Sequence, residues 1–499
     1  MVGPKSMVLV TVDCLRADHC GFMGYERPTT PFLDGLANES FVFPAAIATG
    51  VPTYYSFPAI MASRYPLAHG REVLGLAPEE KTLASVLKQN GYATAFFGAG
   101  NPYLSSRFGY DSGFDTFRDF MDDTVPLPES DHTSAKRGRL GRSINRILAE
   151  TSHKIPGGAA AYDEIYFQYC QSRVPPASSL DRLRRFPAAD TIVDCARAWL
   201  SSRGENPFLL WLHFMDPHSP YYPTEKGLKL FGGKPLTASR AQYLNAYWNR
   251  FELGSARLRR YREEIIAMYD SGVRWVDAQV ARLIEVLRQF KLWEKCIFGL
   301  TADHGEQFLE HEGRYHAPSL VEELIHVPLL LRVPGADKRI VSRDPFSLLH
   351  LAPTVLGAAE LPIPSGFQGE NRWKHIQDGT RWSESAISEC IAGCTNPFNF
   401  EQRVGARLLV VREARYKLCL NFDTGAHSLF DLEADPREQA PLSNKDAKPE
   451  RRRLLQAAFD HLQRAGARQT SQAYLRARLR DIDLITANAF AAASSRALS

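Results

Sequence analysis

Short apolar runs of strand length alternate with amphipathic stretches through the first 120 residues. Residues 7–12 read as a strand, 30–39 and 82–89 as helices, and 92–97 as another strand. That alternation predicts βα units on a mainly parallel sheet. From Met121 to about Ala189 the periodicity breaks down, and Lys136, Arg137, Arg139, Arg142 and Arg146 follow one another with no acidic residue between Asp131 and Glu150. We read 121–189 as an insertion over the core whose basic stretch is either a solvated loop or a cover for an anionic substrate. Regular alternation returns with a helix at 191–202, a strand at 208–214, a long helix at 261–290 and a strand at 296–301. Past Pro345 a helix-like segment, 347–358, leads into Gly/Pro-rich connections and short strand-like runs at 408–411 and 415–420. The expected organisation is an α/β catalytic domain over 1–340, a smaller α+β subdomain over 341–445 and a helical tail over 446–499. No internal repeat interrupts it.

At 499 residues, with 44% hydrophobic and 23% charged positions, the chain has the composition of an ordinary globular protein with a large core. Its 60 Lys and Arg against 56 Asp and Glu leave a net charge of +4, which gives no bulk electrostatic ground for nucleic-acid binding. An anionic partner therefore has to be recognised locally. The first apolar run is strand-length and lacks a signal-peptide cleavage site, and no later run approaches the ~18 residues that span a bilayer. A soluble, cytoplasmic chain is expected. Eight scattered cysteines without a Cys-x-x-Cys pair are expected as reduced thiols.

Each predicted strand ends in a polar cluster. Ligand sites in open α/β sheets lie beyond the carboxyl ends of the strands, so Asp13, Asp216 and Asp303 are expected to meet at one rim. Asp303-His304-Gly305-Glu306 follows the strand at 296–301, with Gly305 permitting a sharp turn. A carboxylate and an imidazole there suit a divalent metal of Zn or Mn type. The alternative, for Asp303 as for Asp13, is a turn whose Asp caps the next helix. In His213-Phe214-Met215-Asp216-Pro217-His218, His213 reads as a core histidine and His218 as a functional one. His311, His316 and His326 follow the Asp303 motif, either as further site residues or as surface histidines. Thr53, ahead of a helical stretch at 58–63, is an N-cap or a nucleophile at a helix end, and its chemistry alone leaves both open.

These residues spell a known pattern. Val10-Thr11-Val12-Asp13-Cys14-Leu15-Arg16-Ala17-Asp18-His19 and Thr29-Thr30-Pro31-Phe32-Leu33-Asp34 resemble the N-terminal signature of the sulfatase family within the alkaline phosphatase superfamily. Ser63-Arg64-Tyr65-Pro66, the His213 and Asp303 blocks, Glu323-Leu324-Ile325-His326-Val327-Pro328-Leu329, Tyr416-Lys417-Leu418 and Phe430-Asp431-Leu432 follow in family order. The similarity covers about 7–440. It implies an alkaline-phosphatase-like fold and one divalent metal, Mn, Zn or Ca, held by Asp13, Asp303, His304 and Thr53. It implies that His218 and His316 bind the transferring anionic group or protonate the leaving group. Arg16 is either a local support for the substrate or a structural ion-pair partner.

Two departures matter. Cys14 stands where many sulfatases have a second Asp. Counting back from Arg64, the position of the Cys or Ser that is oxidised to formylglycine falls on Thr53, and Phe57 replaces the Arg of the maturation motif. No formylglycine is expected. Sulfatase-like relatives with an unmodified Thr act on phosphorus centres, so the resemblance implies a hydrolase that cleaves a phosphoric (diester) or phosphonic ester through Thr53. A sulfuric ester hydrolase, a phospho-group transferase and a non-catalytic metal- or anion-binding protein are the alternatives. A second metal held by Asp216 and His218 is a further one. The expected partner is a small anionic ester, with no nucleic acid and no membrane span. The Arg451 to Arg453 run is expected to be a solvated helix face or a homo-oligomer contact.

Overall fold

A computed structural model describes residues 5–70, 73–121, 158–232, 235–335, 339–403, 405–422 and 424–466. The basic stretch from Lys136 to Arg146 lies outside the described residues.

The continuous apolar runs become the centre of an eight-stranded sheet. Its strands in chain order are β1 (Ser6–Val12), β2 (Phe41–Val42), β3 (Ala93–Gly98), β4 (Thr116–Arg118), β5 (Phe208–Phe214), β6 (Cys296–Ala302), β7 (Leu329–Arg332) and β8 (Ile340–Val341). Every residue of β1, β5 and β6 is buried, because parallel strands covered by helices on both faces have no solvent side. The spatial order is β8-β2-β7-β6-β1-β5-β3-β4, and β7 alone runs antiparallel to its neighbours. Helices flank the sheet, among them α1 (Thr53–Ala62), α2 (Ala189–Ser202) and α3 (Arg262–Gln289). On α3 the buried residues Ile265, Tyr269, Val273, Val276, Val280, Leu283 and Leu287 recur at helical spacing and form its sheet-facing stripe. By contrast, all ten residues of α1 are buried, so it runs through the core.

Downstream, β9 (Ala386–Ile391), β10 (Arg407–Arg412), β11 (Tyr416–Asn421) and β12 (Ala426–Asp431) form an antiparallel meander. Helix α4 (Lys448–Gly466) lays Leu454, Leu455, Ala458 and Leu462 onto Leu409, Val411, Leu418 and Leu420 of that sheet. The smaller C-terminal unit with an antiparallel sheet expected from the sequence is present, and the helix at 448–466, expected as part of a separate tail, packs on that sheet. The arginine run is not the fully solvated face expected of it. Arg451 is buried against the carbonyls of Leu442 and Ser443, and Arg453 pairs with Glu413.

The small sheet braces the loop that leads into α1. The Glu389 amide donates to the Thr49 carbonyl at 2.9 Å and Ser388 Oγ donates to the Ala48 carbonyl. Glu389 is wholly buried, with the Leu67 amide at 3.0 Å, His461 Nε2 at 3.0 Å and the Arg407 guanidinium all on its carboxylate. The eight cysteines form no disulfide. No helix of the described residues is long and apolar enough to cross a membrane.

Candidate active site

Strand register brings the candidate residues together. Val12 of β1 lies level with Phe214 of β5 and Ala302 of β6, and Gly98 of β3 lies level with His213. Four adjacent parallel strands thus stop at one height, and the residues after them share one rim. Asp13, fully buried, follows β1. Its Oδ2 accepts from Asn101 Nδ2 at 2.8 Å and lies 3.4 Å from His213 Nε2. Its Oδ1 accepts from Cys14 Sγ at 3.0 Å and lies 3.9 Å from His304 Nε2.

Asp303 and His304 follow β6. Asp303 Oδ1 accepts from the His304 amide at 2.9 Å, while the buried Oδ2 lies 3.4 Å from His304 Nε2 and has no hydrogen-bond partner among the described residues. Gly305 is required here by crowding. A Cβ at this position would sit 1.9 Å from the Glu323 carbonyl oxygen, and the Gly305 amide donates to the Leu324 carbonyl at 2.8 Å. The sharp turn expected from the sequence is therefore replaced by a close backbone approach.

Thr53 is the first residue of α1 rather than a residue ahead of it. The sequence reading placed the helical stretch at 58–63. Here Pro58 lies inside the helix, which begins five residues earlier by number. Thr53 Oγ1 consequently sits at a helix N-terminus, where free amides and the helix dipole favour negative charge. It lies 3.2 Å from His304 Nε2, with the Asp303 carboxylate close by. His304 Nδ1 contacts the Gly305 carbonyl at 2.9 Å. A carbonyl only accepts, so Nδ1 carries the proton and Nε2 turns a lone pair toward Thr53. Ser56 Oγ, one turn along α1, donates to the Asp303 carbonyl at 2.6 Å and locks helix to strand end.

His218 and His316 close the site, their rings 4.9 Å apart, with His316 4.7 Å from the His304 ring. His218 Nδ1 donates to the Ser219 carbonyl, which leaves Nε2 for the site. His316 Nδ1 lies 3.3 Å from Glu306 Oε2 and 3.3 Å from Cys14 Sγ. Burial opposes protonation of His316, but the Glu306 carboxylate outweighs it and lifts the imidazole to about 9, so it is cationic at neutral pH. Burial pushes His218 the other way, below its ordinary value. For Asp13, burial is outweighed by the surrounding imidazoles, His218 foremost with His213 and His304, which hold the carboxyl well below its usual range. Asp303 is raised by burial and by the neighbouring Asp13 charge.

Not every candidate enters the site. Arg16 is 4% exposed and its guanidinium is taken up by Asp18 at 2.7 Å, Glu310 at 2.6 Å and the Glu306 carbonyl at 3.0 Å. Of its two sequence readings, the ion pair is the one this geometry matches. Asp216 reaches the rim but pairs with Arg184 at 2.7 Å, so it does not join His218 in a metal-ligand group. His311 turns to Glu323 and His326 to the Pro44 carbonyl. Sequence reasoning missed Asn101 as the donor that holds Asp13 and Glu306 as the carboxylate behind His316. The strand-end rule, applied to the predicted strand at 92–97, would have reached Asn101.

Asp13, Asp303 and His304 offer ligand atoms that all lie within 4.8 Å of one another. Two buried carboxylates side by side, one with an unpartnered oxygen, form a site that a divalent cation fits.

The sulfatase family model matches residues 5–361, and that of the N-sulphoglucosamine sulphohydrolase C-terminal region matches 310–465. The chain is 24% identical over 453 residues to an ulvan-active sulfatase of Formosa agariphila, covering 88% of this chain and 77% of that protein. Over 293 residues it is 26% identical to arylsulfatase K of Bos taurus, spanning about half of each (50% and 51%). A structure from work on the metabolism of multiple glycosaminoglycans by Bacteroides thetaiotaomicron shares the fold at a TM-score of 0.67 and 19% identity, over 96% of this chain and 99% of that one. So does the phosphonate monoester hydrolase of Agrobacterium radiobacter, at 0.64 and 18% over 93% and 96%. With the family model spanning most of its length, this chain belongs to the sulfatase family of hydrolases, within the alkaline phosphatase superfamily.

Proposed function

We propose that the chain is a metal-dependent hydrolase that cleaves a phosphoric diester or phosphonic ester through Thr53. The observation that carries the reading is the Thr53 hydroxyl itself, at the N-terminus of a buried helix and 3.2 Å from His304 Nε2. Threonine has no route to formylglycine, so the attacking oxygen is the side chain's own. Asp13, Asp303, His304 and Thr53 would hold a divalent cation, Mn, Zn or Ca, which when bound supplies Lewis-acid charge to the transferring group.

The residues of the chain account for the proton traffic. Thr53 Oγ1, at the helix N-terminus where free amides and the dipole favour the alkoxide, gives up its proton to solvent. Thr53 Oγ1 attacks phosphorus, forming the Thr53–O–P bond as the bond to the leaving oxygen breaks. Cationic His316 gives that oxygen a proton. Water then attacks the phospho-enzyme, breaking the Thr53 O–P bond, and yields a proton to His218 Nε2, which passes it to the facing His316 ring. Thr53 Oγ1 takes back a proton from solvent.

A second reading, sulfuric ester hydrolysis, is favoured by the names of the relatives. Turnover by metal-stripped protein, re-supplied singly with Mn, Zn and Ca, separates the two on matched aryl phosphate, phosphonate and sulfate esters. The proposal predicts metal-dependent phosphorus-ester cleavage that Thr53→Ala abolishes. Sulfate cleavage that survives Thr53→Ala overturns it. Silence on every ester, with ligand binding retained, favours the transferase or binding-protein alternative.

A further inference from the structure

A cavity of about 550 Å³ lies beside the reaction centre, within the ~300–1,000 Å³ usual for small-molecule sites. Its apolar lining is Phe120, Phe186 and Trp275. The Phe186 ring meets the His218 ring edge-on at 5.5 Å, so cavity and reaction centre share this side chain as a wall.

The polar lining favours an anion. Four basic side chains face two acidic ones: Arg118, Arg184, Arg185 and Lys226 against Asp181 and Asp190. The two carboxylates are turned to the amides of Glu225 and Thr191, at 3.2 and 3.0 Å. Arg184 is fixed by Asp216 at 2.7 Å and by the Tyr222 carbonyl at 2.8 Å. Its side chain is 9% exposed, and its Nε has no hydrogen-bond partner among the described residues. The first turn of α2 reaches the same cavity, and its N-cap, Ala188, supplies no capping side chain, so the positive end of the helix dipole faces the lining. Arg118 lies over the Phe120 ring at 4.0 Å and Lys226 over the Trp275 ring at 5.8 Å. Aromatic faces backed by cations suit a ring that carries an oxyanion.

We propose that this cavity is the subsite for an oxyanion-bearing ring on the organic arm of the ester, so that the substrate has a second negative centre besides the transferring group. The inference rests on the proposed function for where the transferring group sits, and it gives Asp216 the task of positioning Arg184.

The test uses two aryl phosphate diesters that share a nitrophenyl leaving group and differ in the other arm, carboxyphenyl or phenyl. Wild-type kcat/KM is expected to be about tenfold higher for the carboxyphenyl diester, the worth of one hydrogen bond to a charged group. Calorimetric titration of metal-loaded Thr53→Ala with the same pair reads the subsite without cleavage and should give the same preference in Kd, even where the phosphorus chemistry of Thr53 fails. Arg185→Gln combined with Lys226→Met should bring both ratios to about one. Benzoate added separately should compete with the carboxyphenyl diester. Equal treatment of the two diesters, in turnover or in binding, overturns the proposal without recourse to the double variant. A preference that survives in the double variant also overturns it, and benzoate that binds without competing assigns the cavity to a free effector instead.

Discussion

Gly305→Ala tests how tightly the Asp303-His304 turn is held. The added Cβ would meet the Glu323 carbonyl oxygen at 1.9 Å, whereas ordinary contact begins at 3.4 Å, so the two backbones have to separate by about 1.5 Å. Neither side yields cheaply. The obstructing atom is backbone, and separation also stretches the 2.8 Å hydrogen bond from the Gly305 amide to the Leu324 carbonyl. Overpacking of this kind costs about 1–3 kcal/mol, and the lost hydrogen bond about 1 kcal/mol more. The catalytic cost is larger, since displacing a reacting group by ~1 Å lowers turnover about 100-fold. Saturating-metal kinetics and urea denaturation should therefore show kcat reduced by about 100-fold or more, in a protein that still folds. Gly35→Ala is the control, because a Cβ there meets nothing within 4 Å. Turnover by Gly305→Ala within about tenfold of wild type, equivalent to about 1.4 kcal/mol, would refute the argument.

Asn101→Ala removes the 2.8 Å donor that orients Asp13, together with the cap on the Tyr103 amide, and should weaken metal affinity about 10–100-fold by calorimetric titration at a stability cost of about 1–2 kcal/mol. Arg16→Ala leaves Glu310 only its half-buried partner Arg262 and should cost about 1–3 kcal/mol of stability; a raised KM with unchanged stability would instead mean substrate contact. Glu322 is the acid-sensitive group of the domain junction. Burial raises it, but Lys417 and Arg412 outweigh that and hold it at about 2 against an ordinary 4.5. A depressed carboxyl stabilises above its unfolded pKa and loses that contribution as pH falls, so about 3 kcal/mol should disappear between pH 4.5 and about 2. Lys417→Met, which removes the principal cause, should flatten that part of the urea-stability profile.

The sheet was legible because buried parallel strands read as unbroken apolar runs. Residues 208–214 were read as the strand the structure contains, 7–12 and 296–301 differ from theirs by one residue at one end, and 92–97 is displaced by one residue at both ends. Placing polar residues beyond those ends was enough to bring Asp13 and Asp303 to one rim. What the sequence withheld depends on distant partners. Arg16 and Glu310 are 294 positions apart, so although Asp18 lies two residues on, the buried half of its ion pairing could not be read locally. Asp216 has a site-like position but is claimed by Arg184, 32 residues earlier. The start of α1 lay five residues before the 58–63 stretch, because the helix is buried on all sides, with Pro58 inside it, and has no amphipathic pattern to mark its beginning. Gly305 was marked as special for the wrong reason, since the crowding atom belongs to Glu323.

The central claim is that Thr53 carries the transferring group. Rapid acid quench of the metal-loaded enzyme during turnover of an aryl phosphate diester, followed by peptide mass mapping, tests it directly. The account predicts a phosphoryl adduct on the peptide that holds Thr53, absent from Thr53→Ala. Turnover without any adduct, retained in Thr53→Ala, would contradict it.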